Sequence, residues 1–263
     1  QFSMGVDVAD INNDAWPEII TADMLPSDPY ILRRSLGEDE YNTFQIKIKN
    51  GYNHQYARNT LQLNRGEALF SEIGLYAAVS ATDWSWSTLW MDFDNDGLKD
   101  LFISNGIPKR LNDIDYVNYV SNDEIQAKIR AGQIAERDMA LIDKFPQIKL
   151  PNRFFKNKGN AAFEDVGGSI ANNKDTYSNG AVYADLDNDG DLDIVVNNID
   201  DQAMIYRNNT SSKSNIRLTL NGPGQNLRAI GAKAVLFRGK EILTYEKYPV
   251  RGFQSSMEIP LQM

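Results

Sequence analysis

The feature that most constrains this chain is a long internal repeat. Residues 59–105 fall on residues 152–198 without a gap. Asn59-Thr60-Leu61-Gln62-Leu63-Asn64-Arg65-Gly66 matches Asn152-Arg153-Phe154-Phe155-Lys156-Asn157-Lys158-Gly159, and Phe70 matches Phe163. Further on, Glu72-Ile73-Gly74 matches Asp165-Val166-Gly167, and Trp84-Ser85 matches Tyr177-Ser178. Each copy ends in an acidic loop, Asp92–Asp100 or Asp185–Asp193, and runs into an apolar segment, Leu101-Phe102-Ile103 or Ile194-Val195-Val196. A degenerate third loop, Asp10–Glu18, precedes Ile19-Ile20, with Phe2-Ser3 ahead of it as Trp84 is ahead of Asp92. On this reading the first copy holds only the second half of the unit, and a fourth opens at Ile205-Tyr206-Arg207-Asn208-Asn209.

Each unit reads as short strands. Leu61, Leu63 and Phe70 alternate with polar residues around an Asn-Arg-Gly turn, and Ile194–Val196 is a β-branched run after a Gly-containing loop. A small all-β unit at long period predicts blades of a β-propeller, which need neighbours to bury their faces. About two and a half units are present, against roughly four blades in the smallest propellers. The expectation is a partial propeller, part of a longer protein or packed against another chain.

Two segments exceed the unit. Residues 24–58 carry a helix candidate at Tyr30–Leu36 and a more strand-like stretch at Thr43–Lys49. Residues 106–151 predict a helical insertion: Asp113–Tyr119, then Ser121-Asn122-Asp123-Glu124 as a capping box opening Ile125–Ala131, then Ala135–Lys144. The insertion is either a lid or docking element or a decoration covering a blade edge. After blades over 1–210, Ser211-Ser212-Lys213-Ser214 reads as a linker into a C-terminal β-domain, 211–263, with strands near Ile216–Leu220, Ala232–Phe237 and Glu241–Tyr245.

The loops carry the chemistry. Aspartates at loop positions 1, 3 and 5 put carboxylates on one side of a tight turn, Gly at position 6 permits a left-handed backbone, a carbonyl at position 7 adds an oxygen, and an acid at position 9 closes the shell. Calcium takes about six to eight oxygens in flexible geometry, which suits this donor set. The residues are Asp92, Asp94, Asp96, Leu98 and Asp100 in the second loop, and Asp185, Asp187, Asp189, Asp191 and Asp193 in the third. In the first loop they are Asp10, Asn12, Asp14, Trp16 and Glu18, with Ala15 replacing the glycine, so weaker calcium binding is expected there. The competing reading is a solvated acidic turn held by Asx-type hydrogen bonds. An EF-hand is excluded, because position 12 holds Thr21, Ile103 or Val196 in place of a glutamate.

The acidic loop ahead of a short strand, with the upstream Asn-x-x-x-x-Asn-x-Gly…Phe element, resembles FG-GAP/VCBS repeats, the calcium-binding propeller blades of integrin α-chains. The tail, Gly224–Val235 and then Arg251-Gly252-Phe253-Gln254-Ser255-Ser256, resembles the ASPIC/UnbV domain of cartilage-acidic-protein-like chains. The resemblance implies an extracellular, periplasmic or outer-surface protein with a seven-bladed propeller when complete. It also implies calcium ligands at the acids of the second and third loops. The chain departs from the pattern in loop one and in its two insertions.

Composition narrows the function. A formal net charge of −9 disfavours nucleic acid as a partner, and part of that acidity reads as metal-binding capacity. The absence of cysteine excludes disulfides, thiolate catalysis and Cys-based zinc sites. No apolar stretch is long enough to cross a membrane as a helix. His54 is the only histidine and reads as structural or exposed. No Gly-x-Ser-x-Gly, Walker or Gly-x-Gly-x-x-Gly motif occurs, and no catalytic or organic-cofactor residue is assigned. Trp84 and Trp90 read as blade packing, whereas Trp86, aligned with Asn179 and Met4, is the better candidate for a surface contact. These features point to a calcium-binding, non-catalytic binding or scaffold module for a protein or glycan. The alternatives are a polysaccharide hydrolase using other carboxylates, or a subunit of a larger surface assembly.

Overall fold

The computed structural model describes residues 3–36, 39–133, 147–210 and 216–263. The fold is all-β, built of small antiparallel sheets with a few short helices. Strands β1 (Val6–Ala9), β2 (Glu18–Thr21), β3 (Thr60–Asn64) and β4 (Phe70–Glu72) form one up-and-down sheet. Strands β5 (Ser85–Met91), β6 (Asp100–Asn105), β7 (Arg153–Asn157) and β8 (Phe163–Asp165) form the next. A third sheet has β9 (Ser178–Ala184), β10 (Asp193–Asn198) and β11 (Met204–Tyr206) in the same order. The inner strands β1, β5 and β9 lie side by side, so the sheets stack like neighbouring blades. Two apolar cores fill the gaps. Ile20, Leu61, Trp90, Leu101 and Phe163 lie between the first and second sheets, and Phe102, Phe154, Tyr183, Ile194 and Tyr206 between the second and third.

The phase of the repeat differs from the sequence reading. The acidic loop joins the first and second strands of each sheet, so β1 and β2 supply the inner half of a four-stranded sheet that β3 and β4 complete. Likewise Met204–Tyr206 is the third strand of the third sheet and opens no new unit. A repeat fixes period, and only strand pairing fixes where a sheet begins.

Both insertions arise at the same connection, between the second and third strands, at the end opposite the acidic loops. Helix α1 (Pro29–Arg34) is capped by Asp28, whose carboxylate accepts from the Tyr30 and Ile31 amides. Thr43–Lys49 is not a strand but most of helix α2 (Tyr41–Lys49). Its alternation of Phe44, Ile46 and Ile48 imitates a strand. Among the described residues no strand pairs with it, and the backbone closes on itself, as where the Phe44 amide donates to the Glu40 carbonyl. Helices α3 (Ile114–Val120) and α4 (Asp123–Arg130) lie close to their expected places, but Asn122 caps α4, accepting from the Glu124 amide at 3.0 Å. The expected Ala135–Lys144 helix and the Ser211–Ser214 linker lie outside the described residues.

The two insertions meet. Arg34 donates to both oxygens of Asp113, at 3.0 and 3.1 Å, and to Asp115 at 3.0 Å, and the Leu36 amide donates to the Asn112 carbonyl at 2.7 Å. Asp83 and Arg110, both almost wholly buried, form an ion pair that ties the second insertion to the start of β5.

The tail contains β12 (Arg217–Leu218), β13 (Lys233–Arg238), β14 (Glu241–Glu246), β15 (Val250–Arg251), β16 (Ser255–Ser256) and β17 (Leu261–Gln262), paired β12–β17, β13–β14 and β15–β16. It packs on the inner strands. Val6 and Gly252 exchange backbone hydrogen bonds at 3.1 and 2.9 Å, and Arg251 pairs with buried Asp7 at 2.6 Å. Gly252 has φ +67, and a Cβ there would meet Ser87 Oγ at 3.0 Å, so glycine suits this approach. Trp86 is not a free surface contact: its ring centroid lies 4.7 Å from that of Phe253, and Nε1 donates to the Gly106 carbonyl at 2.7 Å. Trp84 and Trp90 are buried, and His54 is exposed beside Phe44 and Tyr56.

Candidate metal sites

The three acidic loops occupy equivalent places in successive sheets, because each is the turn from inner strand to second strand. Position 1 organises the turn. Asp92 accepts from the Asp96 and Gly97 amides at 3.1 and 2.8 Å, and Asp10 accepts from Asp14 and Ala15 at 3.1 and 2.8 Å. Position 5 accepts from the amide of position 7: Asp14 from Trp16, Asp96 from Leu98, Asp189 from Asp191. Position 6 is left-handed throughout, with φ +95 at Gly97, +97 at Gly190 and +70 at Ala15. Ala15 therefore holds a conformation that costs a side-chain-bearing residue about 1–2 kcal/mol.

Position 9 does more than close a shell. Each acid accepts the backbone amide of position 2 and that of an Asn at the end of the third strand or, for Asn208, two residues beyond it. Asp100 takes Phe93 at 3.1 Å and Asn157 at 2.8 Å. Asp193 takes Leu186 at 3.0 Å and Asn208 at 2.7 Å, and Glu18 takes Ile11 at 3.0 Å and Asn64 at 3.3 Å. A carboxylate has about four lone-pair sites, so these bonds leave capacity for a cation. Two of these Asn side chains stitch neighbouring loops, while that of Asn64 donates to the Pro17 carbonyl of its own loop at 3.1 Å. Asn157 donates to the Lys99 carbonyl of its own sheet and the Ile11 carbonyl of the previous one, and Asn208 donates to Leu192 and Phe93. Asn13 reaches the Gly97 carbonyl and Asn95 the Asp191 carboxylate, so the loops form a linked row.

Carboxylate oxygens converge at two loops. One oxygen each from Asp92, Asp94 and Asp100 lies within 4.8 Å of the others, as does one each from Asp185, Asp187 and Asp189. Among the described residues Asp10, Asp14 and Glu18 form no such group. There the Asn12 amide donates to Asp14 at 2.9 Å and Trp16 is half exposed, so loop one is closed on itself. Burial pushes the Asp100 carboxyl up to about 8 and Glu18 to about 7. It also raises Asp92, against the pull of Lys99, and Asp191, against its hydrogen bond from Asn95.

The sequence reading missed two basic residues. Lys156 pairs with Asp94 and lies 3.4 Å from Asp96, while Arg207 pairs with Asp187 at 2.7 Å. Both stand immediately before the stitching Asn. In the first sheet that place is Leu63, and position 3 is the neutral Asn12. The signal was present: cation and position-3 aspartate occur together, and both are absent together.

The donors fit a hard cation, since every converging atom is a carboxylate oxygen. Asp185 Oδ1 supplies an independent mark: it is buried and has no hydrogen-bond partner among the described residues. Residues 138–196, which include the third loop, match the FG-GAP-like repeat, a repeat typical of integrin-like extracellular binding modules. No curated protein matches the chain. Among the described residues no helix is long and apolar enough to cross a membrane.

Proposed function

We propose that the chain is a calcium-stabilised, non-catalytic binding or scaffold module that works outside the cytoplasm, in the extracellular space, the periplasm or on the outer surface. The observation carrying this reading is the recurrence of a convergent three-carboxylate cluster at the same turn of successive sheets, with a buried oxygen at Asp185 that has no hydrogen-bond partner among the described residues. Asp92, Asp94 and Asp100 would hold one ion, and Asp185, Asp187 and Asp189 a second, with Asp96, Asp193 and the Leu98 and Asp191 carbonyls completing the donor sets. Loop one is the weaker third site. A bound cation supplies charge neutralisation and no reaction chemistry: it offsets the repulsion among clustered carboxylates and fixes the turn.

Ligand recognition belongs to the opposite end. There the joined insertions expose Tyr30, Leu32, Leu36, Tyr41, Ile46 and Tyr52, side chains suited to a protein or glycan surface. The FG-GAP-like repeat supports a protein partner. The tail's resemblance to ASPIC/UnbV domains and completion as a seven-bladed propeller belong to the same reading. Calorimetric titration with calcium tests it: two tight sites are expected in the full chain, one in Asp92→Asn and one in Asp185→Asn. Unchanged stoichiometry in both variants would overturn the assignment. A glycan and protein array probed with the chain tests the ligand face, and loss of binding in Tyr30→Ala/Tyr41→Ala is the expected result.

A further inference from the structure

Among the described residues the third sheet ends at β11, whereas β4 and β8 cover the equivalent edge in the first two. In those sheets a Gly turn follows the Asn that ends the third strand, and the fourth strand opens on phenylalanine: Asn64 pairs with Phe70, and Asn157 with Phe163. Phe163 is buried, with its ring 5.6 Å from that of Trp90, and helps fill the space between the second sheet and the first. The matching residue in the third sheet would follow Asn208. The sequence there is Asn209-Thr210-Ser211-Ser212-Lys213-Ser214-Asn215, without an apolar side chain, and the next described strand, β12, pairs with β17 instead.

The place is a groove of about 560 Å³ between the second and third sheets, lined by Phe93, Phe154, Ile170, Ile194, Met204 and Tyr206. Lys174 and Arg207, the latter paired with Asp187, border it together with Asp94. The two fourth strands that the chain does form read Phe-x-acid: Phe70-Ser71-Glu72 and Phe163-Glu164-Asp165. Their acids pair with an arginine at or near the start of the third strand, Arg58 with Glu72 at 2.8 Å and Arg153 with Asp165 at 2.9 Å.

We propose that the β11 edge and this groove form a strand-acceptor site for an extended partner segment carrying an aromatic residue followed two positions later by an acid. The segment runs antiparallel to β11, its aromatic residue opposite Asn208 and its acid opposite Tyr206, as Phe163 and Asp165 stand opposite Asn157 and Phe155. Main-chain hydrogen bonds supply affinity, and the groove and its border supply selectivity. Among the described residues no strand covers this edge, and an uncovered edge invites indiscriminate pairing. The site adjoins the second acidic loop, whose Asp94 also lines the groove, but strand pairing there needs no cation.

The probe is a fluorescent synthetic peptide with the sequence of residues 159–167, followed by anisotropy against the full chain with calcium or with chelator. Saturable one-to-one binding is expected in both conditions. The Phe163→Ala peptide should bind at least about tenfold more weakly, from the loss of one buried aromatic side chain. In the protein, Met204→Arg places a guanidinium where β7 has Arg153. It should tighten the parent peptide by up to about fivefold and leave the Asp165→Asn peptide unchanged, as expected for one exposed ion pair. Absence of saturable binding to a chain whose melting is cooperative overturns the proposal. So does equal affinity for the Phe163→Ala peptide, or a self-associated chain in sedimentation that excess peptide does not dissociate.

Discussion

The loops at Asp10–Glu18 and Asp185–Asp193 share a backbone and differ in what satisfies their oxygens. In the first, Asp10 accepts two amides, Asn12 donates to Asp14, and Glu18 is buried under two more amides. In the third, three carboxylates converge, one buried oxygen has no hydrogen-bond partner among the described residues, and the Arg207 guanidinium, just past β11, pairs with Asp187. One turn can thus be held from inside by hydrogen bonds or from outside by positive charge. The asparagine at position 3 and the leucine at 63 mark the first solution, and the aspartate and the basic residue mark the second.

The largest expected effect is that of the cation. At about a hundred times its dissociation constant, calcium should stabilise the chain by about 2.7 kcal/mol per site. Melting with and without chelator reads this, and the Asp92→Asn/Asp185→Asn double variant should lose it while Asp10→Ala retains it. A retained shift in the double variant would place the tight site in loop one and reverse the comparison.

The pH dependence comes next. The folded Asp100 carboxyl titrates near 8, above its ordinary value of 3.8, so between those limits the folded state holds the extra proton. Without metal, stability should fall as pH rises from about 4 to about 8. Calcium requires the ionised form, so it should flatten or invert that slope. A metal-free melting temperature that rises across the window would contradict the desolvation of the Asp100 carboxyl in loop two.

Ala15→Gly should stabilise by about 1 kcal/mol, since glycine enters φ +70 without strain. Denaturant unfolding measures it, and a destabilising result would mean that loop one is held elsewhere. The smallest effect is at the built-in cations. Lys156→Met should tighten calcium at loop two by up to about fivefold, because an ammonium no longer competes for Asp94. Unchanged affinity would make Lys156 a bystander.

Much of this was legible in the sequence. The gapless repeat gave the blade and its acidic turn, and the Gly and Ala at position 6 gave the backbone. Alternation at Phe44, Ile46 and Ile48 misled because periodicity does not reveal whether a partner strand is near. The stitching role of Asn157 and Asn208 was hidden, since their bonds cross between sheets whose neighbourhood only the fold defines. The union of the two insertions through Arg34 and Asp113 was invisible for the same reason: it joins segments that the repeat reading treats separately.

The Arg251–Asp7 pair has a consequence for how the chain folds. Asp7 lies in the first inner strand, 3% exposed, and its cationic partner arrives 244 residues later. Closing so long a loop is slow, whereas the hairpins within each sheet form from local contacts. During synthesis the first strand must keep its carboxylate hydrated until Arg251, Gly252 and Phe253 emerge and dock. The inner edge of the blades therefore sets last, and a refolding experiment should find the Trp86–Phe253 contact among the final signals to mature.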